Sequence, residues 1–352
     1  LQQRDDVELA LSLSRQCEIF EEFLSLGIPH FAIDTYRGML SAAISLFRLP
    51  SVARKFCGWF RDNRFDVVIC TMSHLWNVPM LGAVRKAGAR YVLVLHDAVP
   101  HPGENYALRR WLLAQEINAA DGIVTLTDSV RRTLVHRYAY PEHRIWVIPH
   151  GAFSYHSADV PRVYPRGRPF KLLFFGRLLP YKGLDLLLNA YRVLISEGLT
   201  ISLMIAGPGD LSPYEQAVRE LQGITVDNRW IPEGEIGDFF KKADLVVVPY
   251  VEASQSGVIA TAYASGLPVV ATPVGGLAEQ VIDGKTGLVT SDLSVQALVN
   301  AIRRFVCDAN LYERCSAGAL REVATNLSWP SVVMRLADVI KRVRELPKRG
   351  NR

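Results

Sequence analysis

Short apolar runs rich in Val, Ile, Leu and Phe recur along the chain and are separated by longer amphipathic stretches. A continuous apolar run bounded by turn residues is the pattern of a strand buried on both faces, and helical spacing of apolar residues predicts a helix. In the first half, strands are predicted at 7–13, 30–33, 66–71, 91–95, 122–127 and 145–149. Helices are predicted at 16–26, 40–63, 78–87, 106–119 and 128–138. Pro50 should break or kink the second helix, and Asp128 or Ser129 can cap the last one. Residues 152–169 hold Ser, Pro, Arg and Gly without periodicity and read as a linker. The pattern then resumes, with strands at 172–175, 201–206, 224–231, 244–249, 269–272 and 287–289, a helix at 233–243, and helices from Val295 onward. Alternation of this kind predicts an α/β protein with parallel sheets and a ligand site at the C-terminal ends of the strands.

Composition supports two domains, since a chain of 352 residues, 49% of them hydrophobic, can bury two large cores. The net charge of +5 is mild and no long basic run occurs, so no nucleic-acid partner is expected. Cys17, Cys57, Cys70, Cys307 and Cys315 are scattered and lack metal-ligand spacing. They read as reduced thiols, which suits the cytoplasm. No apolar run approaches the roughly 20 residues of a membrane-spanning helix, and no signal peptide is visible. The first residue is Leu1, so residues upstream are expected to be missing. One stretch modifies this picture. Between Arg37 and Arg64 the only acid is Asp62, while Arg48, Arg54, Lys55 and Arg61 are interleaved with Phe47, Phe56, Trp59 and Phe60. Such a segment can lie on an anionic membrane surface or be an ordinary helix with solvated arginines.

Three groups of residues carry candidate chemistry. Arg177 and Lys182 follow the strand at 172–175, flanked by Gly176 and Gly183. Fixed cations beside glycines that admit a close ligand suit a phosphate pair. Residues 252–257 lie between a strand and a helix, where free N–H groups and the helix dipole can receive an anion, and Ser254 and Ser256 add hydroxyls; a serine N-cap is the plainer reading. His96 stands directly after a strand and before Asp97, as a candidate catalytic group or as a histidine bonded to backbone, with His101 and His150 as weaker candidates. No Asp-x-Asp pair, zinc motif, P-loop or dinucleotide fingerprint occurs, so a metal-free reaction without a nicotinamide is expected.

In combination these segments resemble the retaining GT-B glycosyltransferases of family 4 (glycosyl transferases group 1). The resemblance is carried by Phe175-Gly176-Arg177 through Lys182-Gly183, by Ala206-Gly207-Pro208-Gly209, by Trp230-Ile231-Pro232, by residues 262–270, and by Gly275-Gly276-Leu277-Ala278-Glu279. In the first half His96-Asp97 and Pro149-His150-Gly151 also fit, as does Ser328-Trp329 at the start of the last helix. The resemblance implies two Rossmann-like β/α/β domains facing across a cleft, an acceptor domain at 1–152 and a donor domain at 153–330. The end of the chain, about 331–352, would pack back on the first domain. It implies a nucleotide-sugar donor, GDP-mannose or a UDP-hexose, and no cofactor or metal. The acceptor would be a saccharide or a polyprenyl-diphosphate-linked sugar at the inner face of the membrane, in bacterial polysaccharide biosynthesis. His96, Arg177, Lys182 and Glu252 would be catalytic. Gly176, Arg177, Lys182, Gly207, Ile231, Ser254, Gln255, Ser256, Gly257 and Thr261 would bind the donor. Two features depart from the family. Its usual pair of glutamates falls on Ala253 and Thr261, with Glu252 one residue away, and its first strand and Gly-Gly loop are not recognisable before Val7. The departures keep two alternatives open, a non-catalytic GT-B subunit that binds a nucleotide or a partner, and a GT-B sugar-nucleotide epimerase.

Overall fold

The computed structural model describes residues 1–2, 4–36, 38, 41, 45–99, 107–155 and 158–349. The first domain opens with β1 (Leu11–Ser14), α1 (Phe20–Ser25) and β2 (His30–Ile33), the two strands pairing in parallel. It continues with α2 (Leu49–Asn63), β3 (Val67–Cys70), α3 (Asn77–Lys86), β4 (Arg90–Leu95), α4 (Ala107–Ala119), β5 (Gly122–Thr125), α5 (Asp128–Tyr138) and β6 (Ile145–Val147). Strands β3 to β6 form a parallel sheet in sequential order.

Three local expectations change. The strand expected at 7–13 begins only at Leu11, and the helix expected at 16–26 shrinks to α1. Pro50 does divide the helical stretch expected at 40–63: a 3-10 turn, Leu46–Arg48, precedes α2, and Pro50 sits in the first turn of α2, where its missing N–H has no intrahelical acceptor to lose. The cap of α5 is Thr127, whose Oγ1 accepts from Val130 N, rather than Asp128 or Ser129. Arg37, Leu40, His101 and Tyr106 lie outside the described residues. Phe56 and Phe60 of α2 are buried and pack with Phe31, Trp59 and Phe65, so these aromatics of the basic segment belong to the domain core, whereas Phe47 is exposed.

The second domain holds β7 (Phe170–Phe175), α6 (Leu184–Ser196), β8 (Ile201–Ala206), α7 (Glu215–Glu220), β9 (Ile224–Asp227), α8 (Glu233–Lys242), β10 (Leu245–Val248), α9 (Gly257–Ala264), β11 (Val269–Ala271), α10 (Leu277–Gln280), β12 (Gly287–Val289), α11 (Val295–Cys307) and α12 (Ala309–Thr325). Its six parallel strands run in the order β12-β11-β10-β7-β8-β9. Residues of one strand feed two cores. Leu172 and Phe174 pack towards α6 and α11, while Leu173 packs on the opposite face with Ile259 and Tyr263 of α9. The order of the sheet reverses between β7 and β10. A crevice opens at such a switch point because the flanking connections leave on opposite faces.

The chain crosses between domains twice, side by side. Ala152 N donates to Leu327 O at 2.9 Å, and Gly151 lies so close to the Trp329 ring that a Cβ would meet it at 2.9 Å. What reads as a linker is laid against the second domain: Arg162 donates through its N–H to Ser316 Oγ at 2.7 Å and through Nε to Ser265 O at 3.0 Å. Helix α13 (Trp329–Glu345), capped by Ser328, returns to the first domain, where Val339 and Val343 pack with Val92, Val124 and Ile148. Arg90 then donates to Leu346 O, and Arg144 Nη2 to Pro347 O at 2.7 Å.

Candidate active site

The loops after β7, β8 and β10 meet at the switch point. Gly176 (φ 113°) and Gly207 (φ 135°) adopt backbone angles that side chains disfavour, and a Cβ on Gly207 would stand 2.2 Å from Gly176 O. Leu178 N donates to Pro208 O at 2.8 Å, locking the two loops together. A single turn, Pro180–Lys182, follows and ends at Gly183 (φ 66°), whose Cβ position lies 2.0 Å from Pro249 O. That turn swings Lys182 back over the end of β7. Its Nζ donates to Tyr250 Oη at 2.9 Å, lies 4.6 Å from the centre of the Tyr250 ring, and stands 3.1 Å from where a Gly176 Cβ would be. Arg177 is exposed on the same loop and makes no hydrogen bond or ion pair among the described residues.

The segment 252–257 forms the opposite wall. Ser256 is buried, and its N–H, expected to be open to an anion, is taken by Gln280 Oε1 at 2.7 Å. Its Oγ stands 3.5 Å from Tyr250 Oη. Thr261 is buried and donates back to Gly257 O at 3.1 Å. Ser254 O accepts from Thr127 of the first domain at 3.0 Å, and Gln255 Oε1 is buried with no hydrogen-bond partner among the described residues. Glu252 is exposed. The first N–H groups of α9, those of Gly257 and Val258, have no acceptor within the helix. Val258 Cγ2 lies 4.0 Å from the Cβ position of Gly176. The structure therefore brings together Gly176, Lys182, Gly207 and Gly257, with Arg177 at the rim. Fixed positive charge, a strand end without a side chain and a helix N-terminus converge there, an arrangement that holds a phosphate.

Ile231 is buried, so its side chain belongs to the core and only its main chain can face a ligand; the neighbouring Trp230 is 67% exposed. On the first domain, His96 Nε2 lies 3.1 Å from Thr71 O. Since a carbonyl only accepts, that nitrogen carries the hydrogen when the bond is made. His150 is near enough that the charge of His96 helps burial depress its basicity, against the bond to Gly151 O. Burial raises the phenol of Tyr181; Lys182 and Arg177 oppose the rise, and Asp97 adds to it across the cleft. Further along this edge Tyr36 stacks on His74 at 5.1 Å, beside a hollow of about 600 Å³ lined by Arg15, Gln16, Cys17, Glu18 and Tyr36. Sequence reasoning missed Tyr250, Thr127 and Gln280. Only Tyr250 carried a signal, an aromatic residue just past a buried strand.

Two parallel-sheet domains, the second with a glycine-lined crevice at its switch point, are the architecture of a GT-B glycosyltransferase. The family model for glycosyltransferase family 4 matches residues 7–152, and that for glycosyl transferases group 1 matches 169–308. The chain belongs to this family. A D-inositol 3-phosphate glycosyltransferase from Thermobispora bispora is 28% identical over 312 residues, covering 80% of this chain and 71% of the relative. One from Corynebacterium aurimucosum is 30% identical over 285 residues, covering 75% and 66%. Among solved structures, HepE from Anabaena in complex with UDP superposes with a TM-score of 0.73 at 17% identity, covering 96% of this chain and all of that one. A glycosyltransferase from Rickettsia africae gives 0.72 at 14%, covering 96% and 98%.

Proposed function

We propose that the chain transfers a hexose from a nucleotide-sugar, GDP-mannose or a UDP-hexose, to a saccharide or polyprenyl-diphosphate-linked acceptor in bacterial polysaccharide biosynthesis, with retention and without a metal. The observation that carries the reading is the convergence of Lys182 Nζ, Gly176 and the N-terminus of α9 at the switch point. As the bond from the sugar to the diphosphate breaks, negative charge grows on the departing oxygen. Lys182, Arg177 and the Gly257 and Val258 N–H groups are placed to stabilise it, which lowers the barrier more than the ground state. The acceptor hydroxyl attacks from the same face, and its proton passes to the leaving phosphate oxygen. His96 and Glu252 would hold sugar hydroxyls. The solved neighbour with UDP and glucose favours a uridine diphosphate donor. The named relatives favour, as a second reading, a polyol phosphate as acceptor.

A thermal-shift screen with UDP, GDP, ADP and dTDP tests the donor site. One nucleotide at about 100 times its dissociation constant should stabilise the fold by about 2.7 kcal/mol, a rise of several degrees. No shift with any of the four removes the reading.

Peripheral contact with an anionic membrane belongs to the same proposal. Phe47 is 89% exposed just before α2, and Arg48, Arg54, Lys55 and Arg61 are exposed along the segment that follows it. At the far end of α2 a cavity of about 710 Å³ is lined by Arg61, Arg64, Lys86, Arg90 and Arg344, with Asp66 its one carboxylate. It lies at the N-terminal ends of β3 and β4, away from the cleft. Among the described residues no helix is long and apolar enough to cross a membrane. The protein should sediment with vesicles containing phosphatidylglycerol, not with phosphatidylcholine alone, and salt should release it. Failure to bind either kind removes this part of the proposal.

A further inference from the structure

The short helix α10 and the glycine pair before it touch both domains. Glu279 faces the first domain: one carboxylate oxygen accepts from Asp128 N at 2.6 Å and the other from Arg132 Nη2 at 2.9 Å. Its neighbour Gln280 faces the donor loop, accepting from Ser256 N at 2.7 Å and donating to Ser256 O at 3.1 Å. Thr127 closes the third side. Its Oγ1 donates to Ser254 O at 3.0 Å, and its methyl carbon would stand 2.5 Å from a Cβ on Gly276. Gly275 in turn lies against Ala253 O, which a Cβ there would meet at 1.8 Å. The first N–H groups of α5 have no acceptor of their own, and the end they mark is positive. The N–H of Asp128 finds a carboxylate on the other domain, while that of Val130 is capped by Thr127.

We propose that Glu279 is a positioning residue that ties the shape of the donor loop, residues 253–257, to the docking of the two domains. Peptide groups of that loop are held from outside it on both sides: Ser254 by the first domain, and Ala253 and Ser256 by Gly276 and Gln280, which flank Glu279 in the same turn. Undocking removes the first restraint and strips Glu279 of both partners. The N–H groups of Gly257 and Val258 are then aimed less firmly at a phosphate. Docking and nucleotide binding strengthen one another, and by the same factor in each direction. The nucleotide half of this inference rests on the proposed donor site; the docking half does not. Glu279 and Arg132 are partly exposed, with side chains 28% and 57% accessible. Their ion pair alone contributes little, and the bonds of Asp128 N and Thr127 carry most of the effect.

The test uses Glu279→Gln and Thr127→Val, which preserve size. The control is Arg303→Gln, which breaks the ion pair with Glu197 inside the second domain. The radius of gyration from solution X-ray scattering and UDP affinity from calorimetry are measured for each. Both interface variants should have a larger radius than the wild type without UDP and bind UDP about tenfold more weakly. Saturating UDP should restore the compact radius, and the control should match the wild type. The double variant should lose less than the product of the single losses, since both act through one docked state. Unchanged radius and UDP affinity in both variants overturn the proposal. If the wild type binds no UDP, the donor-site reading for uridine fails, and the radii alone decide: an increase in either variant supports the docking tie, and no change in both overturns it.

Discussion

Replacing Lys182 with methionine is expected to lower the rate of sugar transfer by about 100-fold or more, with a similar or greater loss for Arg177→Ala. In the proposed mechanism the two cations act on the same developing charge from different positions. Lys182 is held by Tyr250, by hydrogen bond and by ring contact, so its charge is fixed before the donor arrives. A donor already in place need not be reorganised around during the reaction, which is why such groups contribute more than mobile surface cations. Arg177 stands exposed at the rim and can reach two phosphate oxygens at once. Methionine preserves the volume of Lys182 and its contact with the Tyr250 ring, so the melting temperature should stay within a few degrees. Single-turnover rates with saturating donor separate the chemical step from binding. Full turnover in either variant would remove these residues from the catalytic machinery.

The second large effect concerns stability. Gly207→Ala should destabilise the second domain by about 3–5 kcal/mol. The new methyl carbon would stand 2.2 Å from Gly176 O, and the backbone angle of 135° is one that alanine resists. Neither strand can yield easily, because β7 and β8 are paired along their whole length. Gly234→Ala in α8 is the contrast. Nothing lies within 4 Å of that position, and it should be neutral or stabilising by up to about 1 kcal/mol. Denaturant unfolding of the two variants checks both, and equal midpoints would refute the account of the Gly207 turn.

The strands were legible because most of them are buried on both faces and spell it in four or five letters. The glycines after β7 and β8 were legible because few other residues tolerate the angles that those turns need. Contacts between distant segments were not. The N–H of Ser256 looks open in sequence and is occupied by Gln280, 24 residues away. Thr127 looks like the end of a strand, and only the fold shows it capping α5 while bonding to Ser254. Helix α7 was not read at all, since its six residues, Glu215–Glu220, bury no side chain and leave no periodic signal.

The return of α13 to the first domain makes that domain discontinuous along the chain. Its face at Val92, Val124 and Ile148 is covered by Val339 and Val343 of α13, with Val332 and Leu336 beside them, all synthesised after the whole of the second domain. On the ribosome the first domain therefore waits, with an apolar face open, until the whole of the second domain has been made. The same arrangement sets the rule for building chimaeras. An exchanged donor domain has to be an insert, cut once near Gly151 and again near Ser328, where the two crossings lie side by side. A fusion with a single junction would carry a foreign α13 onto a surface it was never matched to.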